Sequence, residues 1–299
     1  MAIDVLLVNP VFLSQNKAEQ ALMNPYFPLG LLYLAAFIRE KGFRVEIFDA
    51  TFQEGANEFE DAISQFSPRV VGVSAVKPNR EMALELANIA HASGALTILG
   101  GPDPTHKPEL YVNSPDIDIV VHHEGELTLV ALLQFLLTEN SKQNLCDIDG
   151  IAFLDQNNNL VVTPRRSYIL NLDDLPLPAR DLIDLDKYLK IWKEHNGYSS
   201  LTISVARGCP YGCDWCRDSV HGTGYRQRSP ESVAAEVKTL MEIYQIDRLR
   251  VIDDVDGIDQ AWFASWAEAA KAEDAVIPFE ALNDLQREDI PMLDTRDAL

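Results

Sequence analysis

Short apolar runs alternate with amphipathic helical patterns through the first half of the chain, and this alternation constrains the fold more than any other feature. The predicted strands are Asp4–Pro10, Arg44–Ala50, Val70–Val76, Leu96–Gly101 and Ile117–His123. The predicted helices are Leu29–Lys41, Asn57–Phe66, Asn79–Ser93, Lys107–Asn113 and Glu126–Leu137. Nearly continuous apolar strands are typical of a sheet covered on both faces, and the alternation implies right-handed crossovers. The pattern predicts an α/β fold whose N-terminal part is a flavodoxin-like, doubly wound parallel sheet.

Sheets of this type bind ligands beyond the carboxyl ends of their strands. The candidate ligand-binding residues in the loops at that edge are Asn9, Asp49, Thr51, Ser74, Ala75, Val76, Gly100, Gly101, Glu124, Gly125 and Glu126. Gly100 and Gly101 would let a large ligand approach the backbone closely, although they could equally well only turn the chain. No G-x-G-x-x-G follows the first predicted strand, so a dinucleotide site has little support.

Three of the four cysteines lie close together in a C-x3-C-x2-C pattern formed by Cys209, Cys213 and Cys216. Three thiolates on one short loop can each hold one iron of a 4Fe-4S cluster, which leaves the fourth iron open to an outside molecule. A structural zinc site is a competing interpretation, but Cys146 or His221 would have to supply its fourth ligand. A redox-active pair of Cys213 and Cys216 is a third interpretation, and it leaves Cys209 without a role.

The first half of the chain resembles the cobalamin-binding domain of cobalamin-dependent radical S-adenosylmethionine proteins. The resemblance is carried by Pro28–Ala36, Gly42–Ala50, Gly100-Gly101-Pro102 and Glu124-Gly125-Glu126. It implies that cobalamin binds to the edge-loop residues named above, between the sheet and a following barrel. Thr51 occupies the position at which other cobalamin domains carry a histidine, so the chain resembles the branch in which no histidine ligates cobalt. His123 stands where the family usually has glycine, and it is interpreted as structural together with His122.

The cysteine cluster matches the radical S-adenosylmethionine motif, including the aromatic Trp215 directly before the last cysteine. The match implies a 4Fe-4S cluster on the three cysteines and S-adenosylmethionine bound by Trp215, Asp253 and Asp254. The two aspartates end a predicted strand, and capping of the next turn is an equally good interpretation of them. No residue is assigned a catalytic role.

The activity that this resemblance implies is that of a radical S-adenosylmethionine enzyme. The reduced cluster would cleave S-adenosylmethionine, and a methyl group would be transferred from cobalamin to an unactivated carbon of a small-molecule substrate. An oxidative ring cyclase of the same family is an alternative, and a non-catalytic corrinoid- or cluster-binding module is another. A zinc-stabilised α/β protein that acts by binding a partner, and not as an enzyme, is a further alternative.

The predicted organisation has three parts. Residues 1–140 form the cobalamin-binding domain, residues 141–198 a hairpin and a proline-containing linker, and residues 199–299 the N-terminal half of a partial radical S-adenosylmethionine (β/α) barrel. The residues after the cysteines suffice for only part of the family's barrel. A truncated chain, a barrel completed by homodimerisation and a reduced protein without radical chemistry are the three explanations, and truncation is favoured.

The net charge and the hydropathy of the chain limit the kinds of partner that it is expected to bind. A formal net charge of -21 argues against generic nucleic-acid binding, which needs a basic surface. No apolar run approaches the roughly 20 residues that span a bilayer. The first residues contain no basic leader, so a cytoplasmic protein is expected. The resemblance also implies an external electron donor.

Overall fold

The main sheet has seven strands and occupies the first half of the protein. The computed structural model describes residues 2–137, 144–211, 220–256 and 259–283. The strands of the sheet are β1 (Val5–Asn9), β2 (Val45–Asp49), β3 (Val70–Ser74), β4 (Leu96–Gly100), β5 (Ile119–Val121), β6 (Ile151–Leu154) and β7 (Leu160–Val162). Their spatial order is β2-β1-β3-β4-β5-β6-β7, with β1 to β5 parallel and β6 and β7 antiparallel. The predicted flavodoxin-like order of the first five strands is confirmed.

Helices cover both faces of this sheet. The helices of the described residues are α1 (Lys17–Leu22), α2 (Leu29–Glu40), α3 (Asn57–Phe66), α4 (Arg80–Ala92), α5 (Pro102–His106), α6 (Pro108–Val112), α7 (Glu126–Leu137), α8 (Leu185–Asn196), α9 (Pro230–Ile243) and α10 (Gln260–Ala272). The helix predicted over 107–113 is α6, and a short helix that was not predicted, α5, precedes it. The two are separate because Lys107 leaves the helical region with φ near -140° before Pro108. A residue before proline avoids the helical conformation, so the chain breaks there.

Alternate residues of the central strands enter two different apolar cores. In β1, Val5 and Leu7 pack with α2 and α7, whereas Leu6 and Val8 pack with α3 and α4. All four side chains are essentially inaccessible to solvent. Burial on both faces explains why the strand reads as a continuous apolar run rather than an alternating one.

A second, smaller parallel sheet follows in the C-terminal part. Its strands are β8 (Ser200–Ile203), β11 (Arg248–Asp256) and β12 (Phe279–Asn283), in the spatial order β12-β11-β8, with α9 and α10 in the crossovers. A short antiparallel ladder joins β9 (Ala206–Arg207) to β10 (Arg226–Gln227). Ser229 caps α9 by accepting a hydrogen bond from the Ser232 amide at 3.2 Å, and Pro230 occupies its first position. This strand–helix repetition agrees with the predicted partial (β/α) barrel.

The two sheets share one apolar core. The cluster that covers the α2–α7 face of the main sheet continues through α8 into β8, β11, α9 and α10. Polar contacts support the junction, since the Trp192 indole donates to the Pro25 carbonyl at 2.8 Å and the Ala179 amide to the Leu32 carbonyl at 3.0 Å. The helices of the described part of the chain are too short or too polar to span a membrane.

Candidate functional site

A cavity of about 340 Å³ opens at the carboxyl edge of the main sheet. The ends of β1, β3, β4 and β5 form its floor, and the beginning of α2 forms one side. The predicted cobalamin-binding residues that line it are Asn9, Ser74, Val76, Gly100, Gly101 and Gly125. The remaining predicted residues, Asp49, Thr51, Ala75, Glu124 and Glu126, are not among the residues that line it. The topology therefore brings one subset of the edge residues together around a common space.

Gly101 makes close approach of two loops possible. Its φ is +107°, and a Cβ at this position would lie 2.7 Å from the Ala75 carbonyl oxygen. The Ala75 amide in turn donates to the Gly100 carbonyl at 2.8 Å, and Ala75 is fully buried behind the cavity wall. Only glycine meets both conditions without strain, so this loop leaves backbone rather than side chain facing the cavity.

Asp49 and Thr51 belong to a hydrogen-bond network beside the cavity. The Asp49 carboxylate accepts from the Asn9 amide at 2.9 Å, from the Thr51 hydroxyl at 2.8 Å and from the Tyr188 hydroxyl at 2.5 Å. Burial and the neighbouring Asp49 charge raise the pKa of Tyr188 far above its ordinary value, so the hydroxyl remains a donor. Tyr188 lies on α8 and had no sequence signal that linked it to this edge.

Glu124 and Glu126 form ion pairs with arginines of the β9–β10 ladder. The Arg207 guanidinium donates to Glu126 at 2.6 Å and lies 3.7 Å from Glu124, while Arg226 donates to Glu124 at 2.7 Å. All four side chains are at least nine-tenths buried. Burial alone would raise the pKa of Glu126, but Arg207 outweighs it and the pKa lies below its ordinary value. Glu126 is thus charged, and both glutamates are joined to arginines. Their contact with cobalamin remains a prediction.

The cysteine loop, residues 208–225, starts and ends at this ladder. Its described parts are 208–211 and 220–225; Cys213, Trp215 and Cys216 lie outside the described residues, so their roles remain predictions. The Cys209 amide donates to the Gly222 carbonyl at 3.0 Å. Gly208 has φ of +83°, and a Cβ there would lie 2.3 Å from the Gly224 carbonyl oxygen, so the two ends of the loop meet at backbone.

Asp253 and Asp254 both hold the polypeptide around Cys209. Asp253 accepts hydrogen bonds from the Ser204 hydroxyl at 2.7 Å and from the Ala206 amide at 2.9 Å. Asp254 accepts from the Gly208 amide at 2.9 Å. The partners lie in residues 204–208 and not in the turn after the strand, so the contacts give both aspartates a different structural role. Turn capping and contact with S-adenosylmethionine both remain predictions.

Two histidines also line the cavity, and neither was predicted to do so. His123 has φ of +63°, a backbone conformation that favours glycine. Burial, followed by the neighbouring His122 and Arg165, lowers the pKa of His123 to about 4. His221 comes from the cysteine loop, and its Nδ1 lies 3.2 Å from Asp254. The departure from glycine was a signal for His123, whereas His221 had none.

Comparisons with known proteins agree with this architecture. Residues 21–133 match the B12 binding domain family. The chain is 31% identical to an uncharacterized methyltransferase of Pyrococcus horikoshii over 87% of this chain and 59% of that protein. It is 27% identical to the anaerobic magnesium-protoporphyrin IX monomethyl ester cyclase of Rubrivivax gelatinosus over 88% of this chain and 47% of the cyclase.

The fold is also similar to that of a solved enzyme. The structure of the cobalamin-dependent S-adenosylmethionine radical enzyme OxsB, with aqua-cobalamin and S-adenosylmethionine bound, superposes with a TM-score of 0.77 at 20% identity. The match covers 93% of this chain and 38% of OxsB. The chain spans about half the length of the curated relatives it matches.

Proposed function

We propose that this chain is a cobalamin-dependent radical S-adenosylmethionine protein and holds the cofactors of such an enzyme. The match to the B12 binding domain family and the fold shared with OxsB support this proposal. Cobalamin occupies the cavity at the carboxyl edge of the main sheet, and a 4Fe-4S cluster binds to Cys209, Cys213 and Cys216. The enzyme cleaves S-adenosylmethionine and transfers a methyl group to an unactivated carbon of a small-molecule substrate. An external donor supplies the electron, and the cytoplasm is the proposed location.

The observation that supports this proposal best is the wall shared by the cavity and the cysteine loop. Val220 and His221 of the loop line the cavity, and the next residue, Gly222, accepts the hydrogen bond from the Cys209 amide. A corrinoid in the cavity and a cluster on the loop would therefore be neighbours. Chemistry that uses both groups on one substrate requires this proximity.

The cavity suits a corrinoid. Its wall combines apolar side chains with the backbone of Gly100 and Gly101, and Gly101 provides a surface that any Cβ would obstruct. None of the described residues that line it is acidic, which suits a ligand with an anionic phosphodiester. A ligand that presents a large apolar face and carries polar groups at its periphery is the type that such a pocket binds.

The chain's own residues would prepare the cluster site. Gly208 and Asp254 fix the backbone before Cys209, and the contact between Cys209 and Gly222 joins the two sides of the loop. When bound, the cluster supplies an electron for cleavage of S-adenosylmethionine and cobalamin supplies a methyl group. Trp215, Asp253 and Asp254 are the proposed contacts of S-adenosylmethionine. The packed interior around the junction would keep water from the reacting groups.

Each of the three proposed parts of the chain has its own role in this proposal. Residues 1–140 carry cobalamin, residues 199–299 carry the cluster and residues 141–198 join them. Association of two copies along the outer edge of β12 is a further prediction, because an unpaired strand edge can pair with another chain. Size-exclusion chromatography with light scattering tests it.

Oxidative ring cyclisation is the second candidate function. The similarity to the magnesium-protoporphyrin cyclase extends over 88% of this chain and favours it. The two activities differ in their co-products, because methylation consumes a methyl group of S-adenosylmethionine and releases S-adenosylhomocysteine, whereas cyclisation does not. Product analysis therefore separates them.

The experiment that tests the proposal is anaerobic reconstitution of the protein with iron, sulfide and hydroxocobalamin. We expect a 4Fe-4S electron paramagnetic resonance signal that shifts when S-adenosylmethionine is added, and a stoichiometric cobalamin absorption band. Incubation with a reductant should release 5′-deoxyadenosine, with S-adenosylhomocysteine marking a methyltransferase. The Cys209→Ala variant should lose the cluster, whereas Cys146→Ala, which changes an exposed cysteine, should keep it.

Two outcomes would contradict the proposal. Zinc without inorganic sulfide would assign the cysteines to a structural site instead. A cluster signal that does not respond to S-adenosylmethionine would reduce the chain to a cofactor-binding module.

A further inference from the structure

We propose that His221 couples the cobalamin cavity to the cysteine loop, so that cobalamin and the cluster each bind more tightly when the other is present. This inference rests on the proposed function, because it takes cobalamin and the cluster as the ligands. It goes further by assigning His221 a role as a positioning residue, which neither the family match nor the sequence motifs suggest.

A closed ring of contacts carries this coupling. His221 lines the cavity, and its Nδ1 lies 3.2 Å from Asp254 Oδ2. Asp254 accepts from the Gly208 amide at 2.9 Å, and Gly208 directly precedes Cys209. The Cys209 amide donates to the carbonyl of Gly222, the residue after His221, at 3.0 Å. A displacement of Cys209 would therefore move the His221 part of the cavity wall, and the reverse also holds.

A second set of contacts anchors the two ends of the cysteine loop beside the cavity. Arg207 and Arg226 stand opposite each other in the ladder that brackets the cysteine loop. They bind Glu126 at 2.6 Å and Glu124 at 2.7 Å, and these glutamates flank Gly125, which lines the cavity. Because all four charges are buried, the ends of the loop cannot shift away from the sheet without leaving a charge unpaired.

The sign of the coupling follows from the cost of fixing the loop. Cluster assembly holds Cys209, and through Gly208 and Asp254 it also holds His221 in the wall against which cobalamin packs. Cobalamin then binds to a wall that is already fixed, so its binding free energy is not reduced by the entropic cost of ordering that wall. Thermodynamic linkage requires the effect to be reciprocal.

The test compares cobalamin affinity with and without the cluster. Hydroxocobalamin is titrated by absorbance, under anaerobic conditions, into full-length protein that is either cluster-free or reconstituted with iron and sulfide. We expect the dissociation constant of the wild type to be at least about fivefold lower with the cluster, which is the lower end of ordinary coupling between sites. In His221→Ala the ratio should fall to about one, while His91→Ala, which changes an exposed histidine on α4, should keep the wild-type ratio.

A reciprocal measurement and a second variant complete the test. The rate at which a chelator removes iron should fall on addition of cobalamin in the wild type and be unchanged in His221→Ala. His221→Phe keeps an aromatic ring in the wall but cannot bond to Asp254, and it should lose the coupling even if the alanine variant does not fold.

Equal affinities in the two wild-type states, or a wild-type ratio in both His221 variants, would overturn the inference while leaving the proposed function intact. Failure of the wild type to bind cobalamin in either state would overturn the proposed function and the inference with it.

Discussion

Two adjacent glycines at the end of β4 differ in whether the structure could accommodate a side chain at their position. Gly101 has φ of +107° and faces the Ala75 carbonyl oxygen at a distance that no Cβ tolerates. At Gly100 a Cβ would meet the Val121 carbonyl oxygen at 3.6 Å, which is an ordinary contact. At residue scale the loop therefore depends on one glycine of the pair for its geometry.

Gly101→Ala is expected to reduce the free energy of unfolding by about 2–4 kcal/mol, because it combines a left-handed backbone with a steric overlap. The displaced loop should also weaken cobalamin binding. Urea unfolding and absorbance titration measure the two effects. Gly100→Ala is the matched control, and its change in unfolding free energy should stay under about 1 kcal/mol. Equal effects of the two substitutions would refute this assignment.

His123 should make stability depend on pH. Its folded-state pKa of about 4 lies below the ordinary value of 6.5, since burial disfavours the imidazolium. The unfolded chain therefore takes up the proton first, and the free energy of unfolding should fall as pH decreases from about 6.5 towards 4. His123→Asn cannot titrate and tolerates a positive φ, so unfolding measured across this window should show a shallower pH dependence. His91→Asn should retain the wild-type slope, and an unchanged slope in His123→Asn would contradict the prediction.

At the scale of elements, a buried group of charges joins the β9–β10 ladder to the start of α7. Glu126 is the first residue of α7, and Arg207 of β9 binds it. Such a pair contributes little net stability relative to an apolar core, but the loss of one partner leaves an uncompensated buried charge. The pair thus fixes where the ladder, and with it the cysteine loop, sits on the main sheet.

Glu126→Gln should lower the free energy of unfolding by about 2–4 kcal/mol, since the nearest carboxylate left to Arg207 among the described residues would be Glu124 at 3.7 Å. The iron content after reconstitution should fall as well, because the ladder brackets the cysteine loop. Glu194→Gln is a suitable comparison. It removes an exposed partner that lies 3.9 Å from Lys190, and it should cost less than about 0.5 kcal/mol. Similar costs in both variants would mean that the Glu126 pair is hydrated in solution.

For the whole molecule, α8 connects the two sheets at the edge where the cavity lies. Its Tyr188 packs edge to face on Phe27 and donates a hydrogen bond to Asp49 at the end of β2. Asp49 in turn accepts from Asn9 and Thr51. This network engages the Thr51 hydroxyl and ties α8 to the end of β2.

Tyr188→Phe should cost about 1–2 kcal/mol of unfolding free energy, because it leaves a lone pair of the half-buried Asp49 carboxylate without a donor. A double-mutant cycle with Asp49→Asn isolates the contact. We expect a coupling energy of at least about 0.5 kcal/mol from chemical denaturation, as is usual for residues in direct contact. Strict additivity of the two substitutions would show that the hydrogen bond does not form in solution.

The sequence by itself predicted the fold class and the order of the parallel strands, and it carried the resemblance to a cobalamin-binding domain. These properties follow from local patterns, because a strand covered on both faces must be apolar throughout and each short crossover places successive strands near one another. The cysteine spacing is equally local, and the prediction of a cluster on this loop rests on it alone. Gly101 was also correctly predicted to lie at the carboxyl edge of the main sheet.

Only the tertiary structure decided which edge residues face the cavity and which hold the protein together. Glu124 and Glu126 flank Gly125 in one short motif, yet the glutamates bind arginines and the glycine lines the cavity. The arginine partner of Glu124 is 102 residues away, and the tyrosine partner of Asp49 is 139 residues away. A buried carboxylate needs a compensating donor, but no local pattern specifies which distant residue supplies it, since that depends on how the two sheets pack.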